Sequence, residues 1–207
     1  MAEKKLKTGT TTVAISCKDG VVLASDRRAT MGYYIASKDI DKIFPLGNTM
    51  AMTVAGVVGD AQLLVRWMQG EVKAYALEHE KGMTTKAAVT LLSNVLSRYK
   101  FYPYFVQLIL AGYTEKNPEI YSIDMSGGIT KEKYTATGSG STIAIAILEE
   151  HYKEGLTVKE AKPIAAKAVL SAIKRDAGSG ENVDLIYIDK DGFHRVDREE
   201  VKKLLAE

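Results

Sequence analysis

β-Branched and apolar residues fill Thr10 to Cys17 and Val21 to Ser25, and Lys18-Asp19-Gly20 joins them, so the pattern predicts a hairpin closed by an Asp-Gly turn. Short extended segments follow near Tyr33 to Ala36 and Lys42 to Leu46, and a further strand runs from Thr49 to Ala55, ending at Gly56. The period then changes. Leu64, Trp67, Met68, Val72 and Tyr75 recur at helical spacing, as do Ala88, Leu91, Leu92, Val95, Leu96 and Tyr99 on a second helix begun near Thr84 and Thr85. Tyr104 to Tyr113 and Ile120 to Asp124 read as strands, with Gly127-Gly128 as a turn and another short strand near Tyr134. Ser141 to Tyr152 reads as a helix. Thr157 and Glu160 form a capping box that opens another helix, with Ala161, Ile164, Ala165, Ala168, Ala172 and Ile173 on one face. Val183 to Ile188 and Phe193 to Val196 make a hairpin around Asp191-Gly192, before a short terminal helix.

Strands, two helices, strands, two helices and strands, in that order, predict an α+β domain: two packed antiparallel sheets covered by helices on both outer faces. The strict strand-helix alternation of a doubly wound parallel sheet is missing, and no internal repeat or low-complexity linker interrupts the chain.

Composition narrows the function classes. The 207 residues, 46% hydrophobic and 26% charged, suit one domain with a substantial core. A net charge of +2 with scattered basic residues provides no footprint for nucleic acid or an anionic membrane surface, and neither is an expected partner. The single Cys17 excludes an internal disulfide and a multi-cysteine metal site, favours a reducing compartment, and reads as a core thiol. Met1 to Gly9 carries Lys4, Lys5 and Lys7 without the apolar stretch of a secretory signal, so a cytoplasmic protein is expected.

Chemistry concentrates at Gly9-Thr10-Thr11-Thr12-Val13. Taken alone, such a run is usually only the β-branched start of a strand. If the chain is cut after Gly9, however, Thr10 holds both a hydroxyl nucleophile and an amine base. Other constellations are weaker. Gly138-Ser139-Gly140-Ser141 lacks the Gly-Lys-Ser/Thr ending of a phosphate loop. His79, His151 and His194 have no metal-ligand neighbours at helical spacing, so no metal and no cofactor are expected.

Six separated motifs, in order, carry a resemblance: Thr8-Gly9-Thr10-Thr11-Thr12-Val13, Ala24-Ser25-Asp26-Arg27-Arg28-Ala29-Thr30, Lys42-Ile43-Phe44, Thr53-Val54-Ala55-Gly56-Val57-Val58-Gly59-Asp60-Ala61-Gln62, Thr137-Gly138-Ser139-Gly140-Ser141 and Arg175-Asp176-Ala177-Gly178-Ser179-Gly180. From Thr8 to about Asp191 the chain closely resembles the catalytic β subunits of the archaeal 20S proteasome, within the N-terminal-nucleophile hydrolases. The resemblance implies a four-layer αββα sandwich and a propeptide, residues 1–9, that the enzyme removes itself, leaving 10–207 as a single hydrolase domain. It further implies a threonine endopeptidase that cuts unfolded polypeptide through an acyl-enzyme on Thr10.

Residue roles follow from the same resemblance. Lys42 matches the active-site lysine, and Asp26 its acidic partner. Ser139, Asp176 and Ser179 match the groups that hydrogen-bond around the nucleophile's amine. Gly56, at a strand end before a helix, is the oxyanion candidate, though a glycine there is equally a plain turn. Substrate is expected to lie extended between the Thr30 region and Gly56 to Val58. Ala29 and Val54, with Val58 beside them, match the primary specificity pocket and carry no charge, which predicts cleavage after apolar residues. Ala14, Asp39, Asp41 and Ala177-Gly178 depart from the family's usual residues.

Implied partners are other β subunits in a heptameric ring, α subunits in flanking rings of an α/β/β/α barrel, and an ATPase unfoldase. Three other classes compete: a silent proteasome-like subunit, a bacterial-type two-tiered peptidase subunit, and a small-molecule-binding α+β module. The joint presence of Thr10, Asp26 and Lys42 argues against the first. The Gly-Ser-Gly-Ser and Ala-Gly-Val-Val-Gly-Asp-Ala-Gln motifs argue against the second, and only the residue-by-residue readings support the third.

Overall fold

The computed structural model describes residues 8–206; the lysines at 4, 5 and 7 lie outside them. Among the described residues, thirteen strands and five helices are arranged in four layers. One five-stranded sheet has the order β11 (Tyr134–Thr137), β2 (Thr12–Cys17), β3 (Gly20–Asp26), β12 (Val183–Asp189), β13 (Gly192–Arg195). The other runs β10 (Ile129–Glu132), β9 (Asn117–Ile123), β8 (Val106–Thr114), β7 (Met50–Gly56), β6 (Ile43–Pro45). A small sheet of β1 (Thr8–Gly9), β4 (Ala29–Met31) and β5 (Tyr34–Ser37) sits beside them, and every pairing is antiparallel.

Side-chain alternation builds the layers, because successive strand residues point to opposite faces. Ala14, Val21, Leu23, Ile186 and Ile188 of the first sheet meet Ile43, Ala51, Ile109, Ala111 and Ile120 of the second between the sheets. On its outer face the second sheet presents Met50, Met52, Leu108 and Leu110 to α1 (Val58–His79) and α2 (Thr85–Arg98). The first sheet presents Val13, Ile15, Val22 and Leu185 to α3 (Ser141–His151), α4 (Val158–Ile173) and α5 (Arg198–Ala206). The αββα sandwich expected from the order of elements is therefore what forms.

Local signals located most boundaries. Thr157 accepts the Glu160 N–H and the Glu160 carboxylate accepts the Thr157 N–H, which closes the capping box of α4. Three boundaries differ. Thr10 and Thr11 lie outside β2, because their backbones turn away to the site and Thr8–Gly9 pairs with β4 instead. Ala29–Met31 is a strand that the sequence pattern does not mark. The extended stretch near Tyr134 is two strands, β10 and β11, which belong to different sheets and are separated only by Lys133, so no turn residue announces the crossing.

Candidate active site

The hairpin of β2 and β3 delivers Thr10 and Asp26 to the same end of the sandwich, because its register sets Thr12 opposite Ser25. Asp26 is fully buried and its carboxylate takes four donors. Oδ1 accepts from Lys42 Nζ at 2.6 Å and the Thr11 N–H at 2.9 Å. Oδ2 accepts from the N–H groups of Gly180 at 3.0 Å and Arg28 at 3.1 Å. Such saturation is what a buried carboxylate needs.

Lys42 is 5% exposed. Loss of hydration pushes its ammonium below its ordinary pKa of 10.5, against the opposing pull of Asp26. Its Nζ also lies 3.5 Å from the Gly9 carbonyl oxygen, and the Thr10 hydroxyl donates to that same oxygen at 2.6 Å. Hydroxyl and ammonium thus converge on the peptide bond between Gly9 and Thr10.

Behind Thr10, the loop after α4 carries Asp176 and Ser179. Asp176 Oδ2 accepts from both Ser139 Oγ and Ser179 Oγ, each at 2.6 Å. Each serine has one proton and Asp176 is its nearest acceptor, the Thr10 carbonyl oxygen lying farther from Ser139 Oγ at 3.3 Å, so the serine lone pairs are left for the threonines. Ser139 Oγ accordingly accepts the Thr10 N–H at 3.1 Å, and Ser179 Oγ accepts from Thr11 Oγ1 at 2.6 Å. A free amine at Thr10 would be held by one N–H, with its lone pair available.

Glycine is required at two of these points by close approach. A Cβ on Gly9 would lie 2.1 Å from Gly178 Cα, so the two backbones touch. Gly56 has φ of 126° and a Cβ there would lie 2.1 Å from the Phe105 carbonyl oxygen.

A cleft of about 290 Å³ opens in front of Thr10. Ala29, Thr30, Val54, Gly56 and Val58 all line it, together with Gly9 and Lys42. Ile40, Phe44, Ala61 and Gln62 complete its apolar and amide wall. Asp39 and Asp41 also reach it, and arginines tie both down. Arg27 bonds both, Arg198 joins Asp39 at 2.9 Å, and Arg195 joins Asp41 at 3.0 Å. Hydrogen bonds from Arg27 and Arg198 hold the Asp39 carboxyl below its usual value. Burial pushes Asp41 up, but Arg195 and Arg27 leave it lowered.

The sequence reading passed over three contributors. Thr11 bonds Ser179 with its side chain and Asp26 with its N–H. Arg28 donates to the carbonyls of Ala177 and Ser179, bracing the loop that bears Asp176. Gln107 Oε1 accepts the Gly138 N–H at 3.0 Å, anchoring the turn before Ser139. Thr11 and Arg28 both stand inside motifs already quoted, next to or two residues from a named group. Gln107 sits in an ordinary strand and gives no such signal.

Other side chains have plain structural roles. Cys17 is buried and its thiol is pushed up to about 12, mainly by burial. His79 stacks on Tyr75, and His194 stacks on Tyr187 while contacting Asp189 at 3.1 Å. Among the described residues no group of three or more His, Cys, Asp or Glu is placed to hold a metal, and no helix is long and apolar enough to cross a membrane.

This architecture, with a threonine just before its first long strand and a buried lysine-aspartate pair beside it, is matched by a known family. The family described as "Proteasome subunit" matches residues 6–188, and the chain belongs to that family. It is 48% identical over 205 residues to "Proteasome subunit beta" of Methanosarcina thermophila, covering 99% of this chain and 97% of that one. Against "Proteasome subunit beta" of Archaeoglobus profundus it is 46% identical, over 99% and 95% of the two chains. Against "Proteasome subunit beta 1" of Thermococcus onnurineus it is 46% identical, over 99% and 100%.

Proposed function

We propose that the chain, a peptidase subunit of the 20S proteasome core, is a threonine endopeptidase made as an inactive precursor that releases Thr10 by cutting after Gly9. The observation that carries this is the Thr10 hydroxyl bonded at 2.6 Å to the carbonyl oxygen of Gly9, with Lys42 Nζ on the same oxygen. While the leader is attached, the Thr10 nitrogen is an amide and cannot serve as a base. Lys42, whose ammonium burial makes easier to deprotonate, is then the group that takes up the hydroxyl proton. Thr10 Oγ1 attacks the Gly9 carbonyl carbon and its proton passes to Lys42. The C–N bond then breaks, the nitrogen takes up the proton, and Gly9 is left as an ester on Oγ1. Water hydrolyses the ester, which frees the leader and the Thr10 amine.

Turnover repeats this chemistry on other chains. The hydroxyl attacks a substrate carbonyl and its proton goes to the Thr10 amine, whose unperturbed pKa is about 7.7–8.0, directly or through a water. The acyl-enzyme forms as the leaving amine departs with a proton, and water hydrolyses it. Gly56, which lines the cleft just before α1, is the candidate to donate its N–H to the developing oxyanion. Gly9 pairs with Thr30 and Thr8 with Met31, so the leader occupies the β4 edge to which an extended substrate would add. Ala29, Val54 and Val58 give that site an apolar wall, which favours apolar residues before the cut.

The assembly that fits this role is a heptameric β ring stacked between α rings, fed with unfolded polypeptide by an ATPase unfoldase, in the cytoplasm. Intact-mass analysis after co-expression with α subunits tests the reading. Wild type should lose Met1 to Gly9 and hydrolyse peptides, whereas Thr10→Ala should keep the segment and be inactive. A Thr10→Ala protein that still trims and cleaves would overturn it.

A further inference from the structure

A band of polar side chains crosses the interior of the sandwich at the end nearest the cleft. On the inner face of the first sheet the register sets Thr12 opposite both Thr137 and Ser25, and Ser25 opposite Asp184. Thr53 of β7 faces this row from the second sheet. Thr12 Oγ1 lies 2.9 Å from Thr53 Oγ1 and 2.6 Å from Thr137 Oγ1. All three threonines are buried, Thr12 and Thr53 completely. Further along the same strands the interior is apolar, with Ala14 and Leu23 on one side and Ile43 and Ala51 on the other.

Each strand that meets at Thr12 ends in a different part of the site. β2 follows directly on Thr10 and Thr11, and β7 runs from Thr53 to Gly56. β11 ends at Thr137, just before Gly138 and Ser139. Val54, next to Thr53, donates its N–H to the Lys42 carbonyl at 3.0 Å, so β7 also holds the lysine. Packed methyl groups hold two sheets together without a preferred direction, whereas short hydrogen bonds also fix the distance and angle between the groups they join. A hydroxyl carries one proton and two acceptor positions, so Thr12 can bind both partners at once.

We propose that Thr53 and Thr137 are positioning residues for peptide hydrolysis. Through Thr12 they form a three-hydroxyl node that fixes the nucleophile on one sheet against the lysine and oxyanion glycine on the other. This rests on the reading of Thr10 as nucleophile. Nothing in the chemistry itself uses these hydroxyls. Valine is close in shape to threonine, and Thr53→Val leaves Thr12 bonded to Thr137, so the change strands no buried donor.

The test uses assembled, trimmed particles and a fluorogenic peptide, with kcat, KM and Tm measured for Thr53→Val, Thr53→Ser and Ser25→Ala. Ser25 stands in the same row, yet its hydroxyl has no partner among the described residues, so it is the control. Thr53→Val should lower kcat by roughly ten-fold or more, since small misplacements of reacting groups are that costly, with KM within about two-fold and Tm nearly unchanged. Thr53→Ser should restore kcat, and Ser25→Ala should leave it alone. Wild-type kcat in Thr53→Val, no rescue by serine, or an equal loss in Ser25→Ala would each overturn the proposal. Should Thr53→Val not assemble, Thr137→Val and Thr137→Ser give the same comparison on the other arm. Thr10→Ala in the same particles keeps the two readings apart: residual cleavage there refutes the nucleophile, whatever the node variants do.

Discussion

Lys42 Nζ lies 2.6 Å from Asp26 Oδ1, and both side chains are almost wholly buried. The aspartate keeps the lysine in place while burial makes its proton easier to lose.

Removing that amine should slow maturation, in which it takes the Thr10 proton, and also turnover, in which its positive charge favours a neutral Thr10 amine. Lys42→Met is expected to slow leader release by at least about 10²-fold, the usual scale of general acid–base catalysis, and to slow peptide hydrolysis as well. Lys42→Arg should release the leader no faster, because a guanidinium keeps its proton. Wild-type leader release should accelerate as pH rises towards the lowered pKa of Lys42. Stability shifts in the same direction: between that pKa and 10.5 the unfolded chain binds more protons, so the fold gains stability with pH. Mass spectrometry of leader release across pH, with unfolding curves for wild type and Lys42→Met, checks both signs.

Gly9→Ala should separate maturation from turnover. Its Cβ would fall 2.1 Å from Gly178 Cα and 2.2 Å from Gly178 O, so the leader must move off the β4 edge before it can react. We expect leader release to slow by about ten-fold or more. Peptide hydrolysis per released Thr10 should equal wild type, because residue 9 departs with the leader. Timed intact-mass spectra alongside peptide assays give both quantities.

Arg27 binds Asp41 Oδ1 at 2.8 Å and approaches Asp184 Oδ2 at 3.3 Å, and both it and Asp184 are buried. Arg27→Met should destabilise the protein by about 1–3 kcal/mol, chiefly by leaving buried Asp184 with Arg195 at 3.5 Å as its remaining cation. Burial raises the Asp184 pKa above its usual 3.8, so this carboxylate takes a proton as pH falls and the loss should shrink in acid. Urea unfolding at neutral and acidic pH measures it; an equal loss at both would contradict the ion-pair account.

A panel of fluorogenic peptides should be cleaved fastest after apolar residues. Ala29, Val54 and Val58 offer no partner to a charged side chain, and Arg27, Arg195 and Arg198 already engage the Asp39 and Asp41 carboxylates. Best cleavage after arginine or aspartate would refute the assignment of this wall.

Periodicity alone located the two sheets, the helices that cover them and the capping box at Thr157, because alternation and helical spacing are local properties of the chain. The separated motifs also named most side chains that meet at the cleft. Assembly was another matter. Ala29–Met31 is a strand through its pairing with Thr8–Gly9 on one side and Tyr34–Ser37 on the other. Asp176 collects the protons of Ser139 and Ser179 from two loops distant in sequence. Asp26 receives its four donors from Thr11, Arg28, Lys42 and Gly180, which no window of sequence contains together. Thr53 meets Thr12 across the sandwich, a contact that the two motifs containing them do not announce. Residue types and spacing set which chemistry the chain could carry; the facing of one sheet on another decided which atoms share a proton, since that depends on distances local pattern does not encode.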